Sequence, residues 1–260
     1  MKSISVLGCG WLGMPLAKEL VSKGYTVRGS TTSETKLKSI SENGIKPYLV
    51  QVDSEGCKAD PYFFKSDILI VIIPPSRKEV SKYTEIIRNI LKKISPQTKV
   101  IFTSTTGVYK NTNKIVNEES ITHPTKLTSK EVLIAEGIVK EHPYLILRLA
   151  GLVGGNRKAG RFFSGKTDIN GGKTPVNLVH LVDCVSIIVK LIERDKWRKT
   201  YNICAPDHPN KEKIYSFLAK RENFQIPTFL HNTLEYKIVD STKVVQDLEY
   251  SFIFSSPYFF

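Results

Sequence analysis

The first thirty residues restrict the fold more than any other stretch of the chain. Ser3–Leu7 reads as a short buried strand, and Gly8-Cys9-Gly10-Trp11-Leu12-Gly13 follows it directly as G-x-G-x-x-G. An amphipathic helix over 15–23 comes next, Gly24 takes its C-cap position, and a second strand over 25–29 follows at once. A phosphate-binding βα unit needs three glycines in this arrangement. Gly8 makes the tight turn, Gly10 lets a pyrophosphate approach the backbone N–H groups at the helix N-terminus, and Gly13 lets helix and strand pack closely. An ordinary glycine-rich turn satisfies a bare G-x-G-x-x-G equally well. The strand–turn–helix–strand frame selects the dinucleotide reading, with Gly8, Gly10, Trp11, Leu12 and Gly13 as its contacts.

The end of the second strand bears on which nicotinamide cofactor fits. An NAD site places Asp or Glu there, to bond the ribose 2′-hydroxyl. This chain has Ser30, Thr31, Thr32 and Ser33, no acid before Glu34, and Lys36 and Lys38 just beyond. Hydroxyls and cations suit a 2′-phosphate, so NADP is expected, with NAD as the alternative. The same hydroxyl run also suits a cap on the next helix.

The alternation continues along the chain. A third strand over 48–52 ends at Asp53, expected near the adenine, and a fourth over 67–73 is apolar from Ile68 onward and stops at Pro74-Pro75. A helix over 79–93 carries Val80, Tyr83, Ile86, Ile87, Ile90 and Leu91 at helical spacing, a core stripe. Strands over 99–103 and 145–149 flank a helix over 132–140. Five successive βα steps predict an α/β fold, a doubly wound parallel Rossmann sheet. Its ligand edge lies at the strand C-termini, which adds Asp53, Ile73, Pro74, Pro75 and Ser104 to the cofactor candidates. Beyond Gly154 a glycine- and lysine-rich stretch reads as a mobile loop, and residues 205–260 read as a small lobe. The expected division is 1–154 with 173–204 as the nucleotide-binding domain, and 155–172 with 205–260 as a small C-terminal substrate lobe.

Composition removes other classes. The longest apolar run, 68–73, is six residues against the ~20 that span a bilayer, so no membrane partner is expected. Lys2 followed by Gly8 and Gly10 leaves no uninterrupted signal-peptide core, and the four cysteines form no short-range pair. A cytoplasmic location, no metal site and no disulfide framework follow as expectations. The net charge of +13 is spread along the chain without a basic face, so it predicts attraction of an anionic small molecule rather than nucleic-acid binding. A homodimer is left open as the assembly.

Downstream, Ile101-Phe102-Thr103-Ser104-Thr105-Thr106-Gly107-Val108-Tyr109 resembles the S-S-T-x-V-Y segment of the extended short-chain dehydrogenase/reductases, the NAD(P)-dependent epimerase/dehydratase family. Leu147-Arg148 through Gly154, Asn177 through Asp183 with His180, Tyr201-Asn202-Ile203, and Ser241-Thr242-Lys243 with Leu248 resemble further segments of that family in its own order. The resemblance implies hydride transfer on a small carbonyl, carbinol or sugar-nucleotide-like substrate. It also implies a Ser/Thr, a Tyr and a Lys, the last two as Y-x-x-x-K. On that pattern the hydroxyl is Thr105 and the lysine Lys130, and the tyrosine position holds Lys126. Spacing G-x-G-x-x-G in place of G-x-x-G-x-x-G marks an atypical subgroup.

Three readings follow from the missing tyrosine. Tyr109 or a desolvated Lys126 relays the proton, the substrate supplies the acid–base chemistry, or the chain is a catalytically silent nucleotide-binding regulator or scaffold. The resemblance makes His180 and Asp183 structural, and Arg148 reads as a buried structural cation. The 6-phosphogluconate and hydroxyisobutyrate dehydrogenases also carry G-x-G-x-x-G, but need a long all-helical C-terminal domain that the proline-punctuated tail disfavours.

Overall fold

The computed structural model describes residues 2–76 and 78–260. Among the described residues twelve strands run in chain order: β1 (Ser3–Leu7), β2 (Thr26–Thr31), β3 (Lys46–Val52), β4 (Cys57–Ala59), β5 (Ile68–Val71), β6 (Lys99–Thr105), β7 (Lys114–Val116), β8 (Tyr144–Leu149), β9 (Gly151–Val153), β10 (Leu178–His180), β11 (Lys199–Ile203) and β12 (Lys237–Val239). The α-helices are α1 (Gly13–Ser22), α2 (Leu37–Ser41), α3 (Tyr83–Leu91), α4 (Leu127–Val139), α5 (Leu181–Arg194), α6 (Lys211–Arg221) and α7 (Thr242–Leu248). No helix among the described residues is long and apolar enough to cross a membrane.

Eight strands form one sheet in the order β11-β8-β6-β5-β1-β2-β3-β4. β1 pairs in parallel with β2 and β5, β2 with β3, and β5 with β6; the short β4 pairs antiparallel with β3. The chain order reverses at β1, where β2 leaves to one side and β5 to the other. A doubly wound sheet opens its ligand crevice at such a switch point, beyond the strand C-termini.

Strand residues bury on both faces, as period two requires. Leu7, Leu69, Val71, Val100 and Phe102 share one core with Tyr83, Ile87 and Ile90 of α3 and Val132 and Ala135 of α4. Ile4, Val6, Ile68, Ile70 and Ile101 alternate with them and are fully buried. The apolar stripe read over 79–93 is interrupted by a 3-10 turn at Val80–Lys82, and the α-helix begins at Tyr83.

Contacts divide the chain into two compact units. The first holds residues 1–108, 124–148 and 188–200; the second holds 109–123, 149–187 and 201–260. The observed cuts therefore give 109–123 and 149–154 to the second unit, together with most of 173–204. Within that unit β9 pairs with β10 and β12 with β7, both in parallel. Asp183 accepts hydrogen bonds from the Tyr250 hydroxyl (2.7 Å) and the Ile253 and Phe254 amides (2.8 and 3.1 Å), tying down the tail. His180 stacks on Phe254 with ring centroids 3.8 Å apart. Both residues are thus structural. The glycine-rich stretch after Gly154 is packed rather than free. Gly160 donates to Glu222 Oε2 (3.0 Å), and a β-carbon on it would lie 2.6 Å from the Leu218 carbonyl oxygen.

Candidate functional site

The glycine turn sits at the switch point of the first unit. Gly8 adopts φ +103°, a region open to glycine and strained for residues with a side chain. Its amide donates to Ser30 Oγ (2.9 Å), and Cys9 N donates to Ser30 O (2.8 Å), so the end of β2 fixes the turn. A β-carbon on Gly13 would lie 2.0 Å from the Gly8 carbonyl oxygen, which is why α1 can start against β1 only with glycine there. A β-carbon on Gly10 would meet nothing within 4 Å. Gly10 faces open space at the head of a ten-residue helix. This is the geometry a pyrophosphate requires.

A cavity of about 330 Å³ opens beside the turn. It brings together Gly8, Gly10, Ser30, Thr31, Thr32, Lys36, Ile73 and Pro74 from the sequence candidates. Val50, Val52 and Ile86 give it an apolar wall, and Ser76 adds a hydroxyl. Ser30 is 2% exposed and its hydroxyl is committed to Gly8, so it shapes the turn. Thr31 Oγ1 accepts from the Ser33 amide (3.1 Å). Thr32 and Lys36 are exposed at the cavity edge. Burial pushes the Cys9 thiol up to about 11, and it packs as a small apolar group.

Several candidates stand elsewhere. Leu12 is buried beneath the turn, and neither Trp11 nor Pro75 lines the cavity. Asp53 uses its carboxylate to accept from the Glu55 and Gly56 amides (2.9 Å each), capping the β3–β4 turn, and does not line the cavity either. The Ser104 hydroxyl is buried against Glu136 Oε1, where it supports the Glu136–Arg148 ion pair. Tyr83, read as core, is also functional in position. It lines the cavity and its hydroxyl donates to Ile73 O (2.8 Å), holding the segment after β5.

The catalytic candidates divide between the units. Tyr109 belongs to the second, is 2% exposed, and donates its hydroxyl to Asn202 Oδ1 (2.8 Å). Asn202 donates in turn to Asp240 O, and its amide donates to Glu118 Oε1. The tyrosine is therefore buried and its hydroxyl is bonded within the second unit. Lys126 precedes α4 in extended backbone, and both it and Lys130 are exposed. The buried face of α4 carries Ser129, Val132, Ala135, Glu136 and Val139. Helical phase explains the exposure of Lys130. Lys130 shares its face with the half-exposed Ile134, at i, i+4, while Ser129 shares the inner face with Val132 and Glu136. Thr105 ends β6, and its Oγ1 accepts from the Gly107 amide (3.0 Å). Among the described residues no group of His, Cys, Asp or Glu side chains could hold a metal ion.

Residues 3–122 match the family model for the NAD binding domain of 6-phosphogluconate dehydrogenase. Protein YeeZ of Escherichia coli K12 is 33% identical over 272 residues, which cover 99% of this chain and 98% of that protein. The chain belongs to the YeeZ family. That match runs through both units, whereas the 6-phosphogluconate dehydrogenase model stops before α4. Beyond residue 122 the YeeZ-family chain mixes strands with helices, unlike an all-helical C-terminal domain. UDP-N-acetylglucosamine 4-epimerase of Bacillus cereus superposes with TM-score 0.79 at 18% identity, over 100% of this chain and 93% of that one. UDP-glucuronic acid 4-epimerase of the same organism, solved with NAD, gives 0.79 at 19%, over 98% and 93%. At these identities the likeness is one of fold.

Proposed function

We propose that this YeeZ-family chain is a nicotinamide-dinucleotide-dependent oxidoreductase or epimerase of the short-chain dehydrogenase/reductase type. Its substrate is a small carbonyl, carbinol or sugar-nucleotide-like compound, its active site is non-standard, and NADP is preferred over NAD. The open cradle at Gly10 carries the reading, since Gly8, Gly10 and Gly13 each do what a bound pyrophosphate needs. The family-model match and the NAD complex among the fold neighbours support it.

When bound, the cofactor supplies or accepts hydride at its nicotinamide. The chain binds and orients it. The Ser30 hydroxyl holds Gly8 and so presets the turn before any nucleotide arrives. Val50, Val52 and Ile86 offer an apolar wall to an adenine. Thr32 and Lys36 at the cavity edge offer a hydroxyl donor and a cation, which suit a 2′-phosphate, and no Asp or Glu lines the cavity.

Titration calorimetry with NADPH and NADH tests this. NADPH should bind about ten- to a hundredfold more tightly, the worth of a charge-assisted contact, and Thr32→Ala with Lys36→Ala should close the gap. NADH binding at least as tight as NADPH would remove the NADP preference. A second reading, a catalytically silent nucleotide-binding protein, is favoured by the committed Tyr109 hydroxyl and the exposed lysines of α4. Hydride transfer to any carbonyl compound excludes it.

A further inference from the structure

The second unit holds a cavity of about 780 Å³ that shares no lining residue with the nucleotide cavity. The β7–β12 ribbon supplies one wall. Ile115 and Ile238 are register partners, so strand alternation puts both on one face of the ribbon and Lys114 and Lys237 on the other. Ile115 is 70% exposed, and it lines the cavity together with Ile238, Val245 and Phe252. Tyr250 stands edge-on to Phe252, with ring centroids 5.5 Å apart, and its hydroxyl is bonded to Asp183. The wall is therefore apolar and partly aromatic, in the size range of small-molecule sites, roughly 300–1,000 Å³.

The charge of this lining runs against that of the chain. The sequence has 38 basic and 25 acidic residues, yet among the described residues no Lys or Arg lines the cavity, and Asp240 contributes a carboxylate. Asp240 Oδ1 accepts from the Thr242 amide (2.9 Å) and hydroxyl (2.6 Å), which fixes the carboxylate at the head of α7. A carboxylate has about four acceptor sites, so two bonds on one oxygen leave it capacity for a ligand. His208 lines the same cavity. Its Nδ1 donates to Val176 O (3.3 Å), since a carbonyl only accepts, and the neutral ring then keeps Nε2 as an acceptor. Burial favours that neutral form, with Asp207 and Asp240 opposing. The other polar side chains are Ser and Thr hydroxyls, which serve as donor or acceptor.

We infer that this cavity is a second ligand site, one that takes a small primary ammonium compound with an apolar aryl or branched-alkyl body. The ammonium group carries donors and no acceptor, which matches the Asp240 carboxylate and the His208 ring nitrogen. The body covers Ile115, Ile238, Val245 and Phe252 and removes their apolar surface from water. An anion of the same shape would meet the carboxylate with no cation in the lining to offset it. An amine without an apolar body would leave the wall in water. The inference uses no nucleotide and no hydride transfer, so it stands apart from the function proposed above.

The test uses the whole protein without nucleotide, at neutral pH, and three probes: phenethylamine, phenylacetate and ethanolamine. Saturation-transfer NMR and calorimetric titration read binding, and thermal melts confirm that each variant is folded. Phenethylamine should bind the wild type saturably at one site, with phenylacetate and ethanolamine at least about tenfold weaker. Asp240→Asn keeps an oxygen for Thr242 but removes the charge, and should weaken phenethylamine about tenfold without weakening phenylacetate. Ile115→Lys places a cation on the apolar wall at an exposed position, where folding is spared, and should abolish amine binding. Ile134→Lys adds the same charge on the exposed side of α4 in the first unit and should change it less than about twofold. No saturable phenethylamine binding to the wild type would overturn the inference, as would phenylacetate binding as tightly as the amine. A folded Asp240→Asn or Ile115→Lys protein that binds the amine like the wild type would overturn it too. Should Asp240→Asn fail to fold, Ile115→Lys decides.

Discussion

Glu136 and Arg148 meet in a two-pronged ion pair inside the first unit, with Arg148 Nη2 2.6 Å from Oε2 and Nε 3.0 Å from Oε1. The residues are 1% and 5% exposed, and the Ser104 hydroxyl donates to the same carboxylate. The pair joins α4 to β8 and so holds the helix that carries Ser129. Removing one partner strands a buried charge, which costs about 3–5 kcal/mol; replacing both with apolar groups of similar volume avoids that penalty. Urea unfolding should show Glu136→Leu or Arg148→Met alone more destabilised than the double variant. Equal or additive losses would contradict the coupling.

Gly13 and Gly10 should separate stability from binding. Gly13→Ala places a β-carbon 2.0 Å from a backbone carbonyl oxygen, and the crowding should cost roughly 1–3 kcal/mol. Gly10→Ala meets nothing within 4 Å and should leave the melting temperature nearly unchanged. Thermal melts of the two variants without nucleotide check this; equal shifts would contradict it.

His180 should make stability depend on pH. Its Nδ1 accepts from the Val182 amide (3.3 Å), so the neutral ring is the bonded form. Burial holds its pKa below the ordinary value of about 6.5, with nearby Asp183 opposing, and burial lowers His208 in the same direction. The unfolded chain then binds more protons than the folded one, and stability is fully present above about pH 6.5 and falls as pH drops below it. His180→Asn keeps an acceptor for Val182 and does not titrate. Its melting temperature should therefore fall less between pH 7 and pH 5 than that of the wild type. An unchanged slope would assign the effect elsewhere.

The β1–α1–β2 frame was legible because glycine spacing and apolar runs report it locally. Gly8, Gly10, Ser30, Thr32, Lys36, Ile73 and Pro74 do gather around one cavity. Asp53 was not legible as a turn cap, because nothing in its neighbourhood announces the antiparallel β4 that folds back on β3. The three-residue strands β7 and β12 pair across more than a hundred residues, and no local pattern specifies such a partner. The exposure of Lys130 was not legible for a different reason. A motif match fixes a sequence position, whereas the face of α4 is fixed by the phase of Val132, Ala135 and Glu136, which turns Ser129 inward and Lys130 out. Tyr109 reads as an active-site tyrosine until Asn202, 93 residues away, is seen to take its hydroxyl.

The most direct measurement is a calorimetric titration of NADPH into the wild type and Gly10→Val, with thermal melts confirming that both are folded. Gly10 faces the space that a pyrophosphate would occupy, and a valine side chain there fills it without striking any described atom within 4 Å of the β-carbon. The predicted result is saturable one-site binding to the wild type and at least a tenfold loss in the variant. Equal affinities, or no binding to the wild type, would contradict the nicotinamide-dinucleotide site at the glycine turn.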